Sequence, residues 1–202
     1  MGLLAKVTEM SWANPGIDED VQSYRYSDKP TARIGLTWFL AVVTSFFFLF
    51  VMAYTERMEL GDWDPLQEPT LLWFNTGLLV LASIAMQTAR NRSVAGQVPG
   101  FMLTLGGLAA LGFIVGQVVA WQQLAATGYY RADNPAYAFF ILLTAAHAVH
   151  LLGGLYVWAR LLWRRRQGAD TEVLGQTIGL CALYWHYLLL LWVVLFVLML
   201  TT

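Results

Sequence analysis

Three histidines are the residues of this 202-residue chain best able to do chemistry, and all three lie in apolar surroundings. His147 and His150 sit in AAHAVHLLGG, and His186 sits in CALYWHYLLLLW. An imidazole at bilayer depth is costly and faces protein or water rather than lipid. His147 and His150 are three residues apart and so share one face of a helix. Measured from Tyr137, His147 lies about 15 Å along a helix, close to the middle of a membrane. His186 and His150 reach a similar depth from the other side, so the three rings could meet between adjacent antiparallel helices. Two chemistries fit. One is a metal or haem site, because imidazole is a ligand for Cu, Fe and Zn. The other is a set of interhelical hydrogen bonds, each worth about 0.6–2 kcal/mol in a membrane. No carboxylate or cysteine stands beside the histidines to complete a metal shell.

Other residue types narrow the choice. No Asp or Glu lies well inside an apolar stretch, whereas ion-coupled transport places ionisable groups on its path. Asn75, Gln87, Gln117, Gln122 and Gln123 are the amides inside the spans. Gln117 is the deepest and is expected to bond across helices, and it and Asn75 are expected to share a polar network with the histidines. Gly112, Gly116, Gly153 and Gly154 are small positions that let helices approach closely, and Gly112 with Gly116 forms a GxxxG pair. They serve either packing within the chain or docking on another subunit. Arg33, Arg164, Arg165 and Arg166 flank the apolar stretches, where they orient the chain and can meet lipid headgroups. There is no Gly-rich phosphate loop, no Ser/His/Asp set and no Cys-x-x-Cys. Cys181 is the only cysteine, which excludes an internal disulfide. No clustered basic face supports nucleic-acid binding.

These side chains must be positioned by helices that cross a membrane. Hydrophobic residues make up 58% of the chain and charged residues 12%, and the mean hydropathy is +0.55. That balance belongs to polytopic membrane proteins. Apolar spans at about 35–55, 70–89, 101–123, 137–163 and 178–200 each meet the roughly 17–25 residues needed to cross the hydrocarbon core. The expected fold is therefore all-α, a membrane bundle of five transmembrane helices over 34–202. It is preceded by a polar tail over 1–33 that docks on a neighbour. That tail carries no signal-peptide pattern, and Lys6 stands where N-myristoylation needs Ser or Thr.

Charge sets the orientation. Lys6, Arg25, Lys29 and Arg33 in the tail, Arg90 and Arg92 in the second link, and Arg160 with Arg164–Arg166 in the fourth fall on one side; Arg57 and Arg131 fall on the other. The positive-inside rule places the N-terminus in the cytoplasm and the C-terminus outside.

The order of these features resembles subunit III of the haem–copper oxidases. FFILLTAAHAVHLLGGLYVWARLLWR is similar to that family's stretch of Phe-Phe, Thr, a His-x-x-His pair and Gly. CALYWHYLLLLWVVLFVLML looks like its closing Tyr-Trp-His helix, and EPTLLWFNTGLLVLASIAM like its Pro-x-Leu-x-Asn-Thr helix, with Pro69, Asn75 and Thr76 in place. Arg33-Ile34-Gly35 resembles the Arg-x-Gly that opens a family helix. The likeness covers about residues 31–202.

It implies a non-catalytic subunit that packs on subunit I, supports its proton uptake and contacts the other oxidase subunits and phospholipids. On that likeness this chain holds no cofactor, haem and copper belong to partner subunits, and His147, His150 and His186 are structural. The family has seven helices and this chain resembles the last five. Val43 stands where the family often has a carboxylate, and Leu189 where many members have Asp. A prokaryotic plasma membrane follows as the expected location. Two other readings stand beside this one: a haem-b-binding anchor of a respiratory dehydrogenase, and a transporter or channel.

Overall fold

The computed structural model of the chain describes residues 31–63, 70–97, 99–126, 134–168 and 171–201, with the side chains of 171 and 172 excepted. Most of the expected tail, residues 1–30, lies outside the described residues. Five helices follow in order: α1 (Thr31–Met58), α2 (Leu71–Val94), α3 (Gly100–Ala126), α4 (Pro135–Arg166) and α5 (Thr171–Leu200). All five are long and apolar enough to cross a membrane. Each contains an expected span, apart from the first residue of the second, and runs past it by a turn or less at most ends.

The helix ends follow local chemistry. Asn134 caps α4, its side chain accepting a hydrogen bond from the Ala136 amide at 3.0 Å, with Pro135 in the first turn. That is where a missing amide proton costs nothing. Beyond the C-termini of α2 and α4 the chain turns at Gly96 (φ 70°) and Gly168 (φ 76°), a backbone region open mainly to glycine. Hydroxyls inside the helices bond back to their own backbone. Thr76 donates to the Leu72 carbonyl and Thr104 to the Gly100 carbonyl. These bonds satisfy a polar group without leaving the helix.

The chain divides into two compact units, residues 1–39 and 40–202. Of the first, Thr31–Phe39 are described. They form the opening turns of α1, with Arg33 exposed and its carbonyl accepting from the Thr37 hydroxyl at 2.9 Å.

In the second unit α2, α3, α4 and α5 close a four-membered ring. α2 lies against α3 and α5, and α4 lies against the same two. Asn75 stands opposite Gln117 and Met86 opposite Gly106, so α2 and α3 run antiparallel. The middle of the ring is filled across its diagonal by Phe113 of α3 and Trp192 of α5, edge to face at 4.8 Å. Residues 40–58 of α1 stand farther out. No Cα there comes within 8 Å of a Cα in another described helix. Side chains bridge the gap. Thr44 and Tyr187 share a hydrogen bond at 3.0 Å, and Tyr54 meets Phe139 edge to face at 5.7 Å. At the end of α1, Arg57 is paired with Asp62, and hydrogen bonding from that guanidinium holds the Asp62 carboxyl below its usual range.

Close approach of α3 and α4 depends on Gly107. The Trp158 indole lies where a Gly107 Cβ would be, and Trp158 Nε1 donates to the Leu103 carbonyl at 2.8 Å. Gly107→Ala is therefore expected to lower stability by about 1–3 kcal/mol, the usual cost of overpacking. Thermal unfolding in detergent reads this. Gly153→Ala, with open space at that Cβ, serves as the comparison and is expected to stay within about 0.5 kcal/mol of the parent chain. Equal melting of the two variants would contradict the close approach.

Candidate functional site

Each of the three histidines meets a different neighbour. His147 on α4 is fully buried. Its ring packs against Phe113 at 5.7 Å and Trp192 at 5.2 Å between centroids, and neither ring nitrogen has a hydrogen-bond partner among the described residues. His150, one turn on, faces α1 instead. Its ring meets Phe47 at 5.5 Å, and Nδ1 lies 2.7 Å from the Ala146 carbonyl of its own helix, which can only accept. Tyr184 of α5 donates to the His150 backbone carbonyl at 2.8 Å.

His186 on α5 turns to α2. Its Nε2 donates to Gln87 Oε1 at 2.9 Å, while Nδ1 lies against the Ser83 hydroxyl. A carbonyl oxygen at Nε2 places the ring proton there, so the Ser83 hydroxyl is the donor to Nδ1. The expectation that the three imidazoles could meet is thus corrected. His150 is held by its own helix and by Phe47, and His186 by two α2 side chains. No group of three or more His, Cys, Asp or Glu among the described residues lies close enough to share a metal ion.

The amides behave differently. Asn75 and Gln117 are both buried, and Asn75 Nδ2 donates across α2 and α3 to Gln117 Oε1 at 3.4 Å. Asn75 Oδ1 and Gln117 Nε2 have no partner among the described residues. Gly116 makes room for the pair, because Asn75 Oδ1 occupies the place of a Gly116 Cβ. The five expected polar residues therefore divide into separate arrangements. Asn75 pairs with Gln117, His186 with Ser83 and Gln87, His150 with its own helix, and His147 stands alone among aromatic rings.

The glycines also separate. A Cβ at Gly154 would lie 2.8 Å from the Tyr184 ring, and one at Gly112 would lie 3.3 Å from Leu78 Cδ1. Both are packing positions between helices. Gly153 has nothing within 4 Å of its Cβ position, so it makes no close approach within the described chain. Of the arginines, Arg33, Arg164 and Arg166 are exposed. Arg165 is half-buried, with its guanidinium over Gly100 at the start of α3. Arg160 and Arg164 line an open pocket of about 570 Å³ with Tyr156 and Trp163.

The partners that reading the sequence missed are hydroxyls and indoles. Trp121 Nε1 donates to Thr144 Oγ1 at 2.9 Å, joining α3 to α4, and Trp192 Nε1 donates to Thr76 Oγ1 at 3.0 Å, joining α5 to α2. The signal was available. Nine tryptophans in an apolar chain bring N–H donors that need acceptors once buried. A buried ring with no partner gains nothing from its nitrogens. His147→Phe is accordingly expected to keep the unfolding midpoint or raise it. A drop of about 2 kcal/mol or more in stability would show that the imidazole nitrogens hold something essential.

No protein-family model matches the chain. Individual relatives do. It is 27% identical over 171 residues to the probable cytochrome c oxidase subunit 3 of Nocardia farcinica, covering 80% of this chain and 82% of that protein. It is 28% identical over 190 residues to the cytochrome c oxidase subunit 3 of a Synechocystis species, covering 88% of this chain and 78% of that one. The quinol oxidase subunit 3 of Bacillus subtilis is 26% identical over 137 residues, 66% of each chain. With five helices long and apolar enough to cross a membrane, and with these relatives, the chain is a multi-pass prokaryotic membrane protein similar to subunit III of cytochrome c and quinol oxidases.

Proposed function

We propose that the chain serves as the non-catalytic subunit III of a respiratory haem–copper terminal oxidase, packed on subunit I, stabilising it and supporting its proton uptake during aerobic electron transport. The observation that carries this reading is the likeness to subunits named for both cytochrome c and quinol oxidases. A role common to both lies apart from the electron donor.

The side chains support a mechanical part. Their interior polar groups are neutral amides, hydroxyls, indoles and an imidazole among rings. A ring of helices locked by cross-helix hydrogen bonds offers a neighbour a stiff wall. Phospholipids complete that wall. An apolar groove of about 260 Å³ between α1 and α5, bordered by Phe48, Val51, Leu191 and Val194, has the lining for an acyl chain. Arg160 and Arg164 beside Trp163 suit an anionic headgroup, with each basic residue near the surface contributing about 1 kcal/mol. Haem and copper sit in the partner chains on this reading, and none in this one.

Purification of the tagged chain in mild detergent tests the proposal. A haem absorption spectrum is expected to travel with it in a larger partner polypeptide, and to stay with that partner when this chain is stripped away. The stripped oxidase is expected to lose activity over successive turnovers. A chain that purifies alone with its own haem spectrum, lost in His147→Ala, would replace this reading with the haem-b anchor of a dehydrogenase.

A further inference from the structure

His186 is exposed although it lies at mid-height in the bundle. Its partner Ser83 is about 17 Å from either end of α2, and His186 itself is about 22 Å from either end of α5, at helical rise. Hydrocarbon cannot hydrogen-bond, and polar side chains at this depth face protein or a water-filled space.

The exposed imidazole begins a polar seam along the outside of α2 and α5. Ser83 bonds to His186, His186 donates to Gln87, and Gln87 Nε2 donates to Asn91 Oδ1 at 3.0 Å. Arg90 lies beside this chain of bonds, its Nε 3.9 Å from the Cβ position of Gly179, and Ser93 Oγ lies 3.2 Å from that of Gly175. Gly175 leaves room for Ser93, and Gly179 lies at ordinary contact distance from Arg90.

The seam has more donors than acceptors. Arg90 forms no ion pair with a described carboxylate. Its guanidinium carries five N–H groups, Asn91 Nδ2 carries two more, and Gln87 Nε2 retains one after its bond to Asn91. Around the polar centre, Val80 and Ile84 on α2 and Leu183 on α5 are exposed apolar side chains on the same faces. A polar cluster short of acceptors within an apolar frame complements one kind of surface.

We infer that the α2–α5 seam at Ser83, Gln87, His186 and Arg90 docks a transmembrane helix of a neighbouring subunit, apolar except for an acceptor side chain (a carboxylate or an amide carbonyl) level with Gln87 and Arg90. The inference rests on the oxidase reading above and assigns that assembly a face. A lipid with its phosphate at Arg90 is the competing occupant. It accounts for the end of the seam and leaves the imidazole among acyl chains.

Site-specific photocrosslinking in the intact membrane complex decides between them. A benzophenone amino acid is placed at Ile84, beside the seam, or at Val149, an exposed position on α4. The Ile84 probe is expected to couple to a partner polypeptide, at least about tenfold more than the Val149 probe does. Coupling of the Ile84 probe to lipid alone, with the Val149 probe coupling to a partner polypeptide, would overturn the face while keeping the oxidase reading. Coupling to lipid at both positions, with no haem-bearing chain co-purifying, would remove both. Arg90→Gln supplies a second readout, because it alters an exposed side chain and leaves the bundle's own bonds intact. Retention of the partner through detergent washing is expected to fall about three- to tenfold, as loss of one or two membrane hydrogen bonds implies, with helix content unchanged. Undiminished retention would count against the seam.

Discussion

Lipid tails offer an N–H group no acceptor and an oxygen no donor, so a membrane bundle has to provide both from its own helices. In this chain the tryptophans impose that demand most strongly. Trp121 bonds to Thr144, Trp158 to the Leu103 carbonyl and Trp192 to Thr76. Each of these bonds joins two helices, and together they tie α3 to α4 twice and α5 to α2 once. A bulky indole is thereby fixed at both ends, its rings by packing and its nitrogen by an acceptor. Trp185 is the exception in the core. Its Nε1 has no partner among the described residues, and its ring meets Tyr184 edge to face at 6.4 Å.

Anchoring an indole against a neighbouring backbone requires space, and glycine supplies it. Trp158 reaches the Leu103 carbonyl because Gly107, one turn on, has no side chain in its way. Asn75 reaches Gln117 because Gly116 leaves room for its amide. Small residues and polar side chains thus act as one device. Without a hydrophobic drive between helices in lipid, close packing and hydrogen bonds are what remain to hold them. Gly153 shows the contrast. It has the composition of a packing glycine, yet its open surroundings place it outside that device.

Much of the fold was legible before the structure, for a physical reason. Long apolar runs with charged flanks admit one solution in a membrane, and the five runs became five helices. Asn75 and Gln117 were legible as two of five amides inside the spans, Gln117 the deepest, but the pairing of these two was not marked. The partners of the histidines were not. His150 and His147 share a face by spacing, but each ring turns about its own Cα–Cβ bond. His150 finds a carbonyl on its own helix and Phe47 on α1, and His147 finds aromatic rings. Ser83 looks like any small residue of an apolar run, so nothing in the sequence marked it as the partner of a histidine more than a hundred positions away. Which helices neighbour one another decides such pairs, and periodicity within one helix carries no information about that.

The same reasoning separates the inside of the bundle from its outside. His147 is fully buried against Phe113 and Trp192, and neither of its ring nitrogens has a hydrogen-bond partner among the described residues. His186 is reached from outside, and both its nitrogens are already engaged with α2. An imidazole bonded on both sides is held in one tautomer and one orientation, which suits a fixed surface better than a mobile ligand or relay. What the seam lacks is acceptors around Gln87, Asn91 and Arg90, and a neighbouring chain can bring one to that level. A neighbour that presents a carboxylate there would gain a charge-assisted bond to Arg90. Orientation of this subunit on its partner would then follow from a few polar atoms, with the apolar frame of Val80, Ile84 and Leu183 providing the contact area around them.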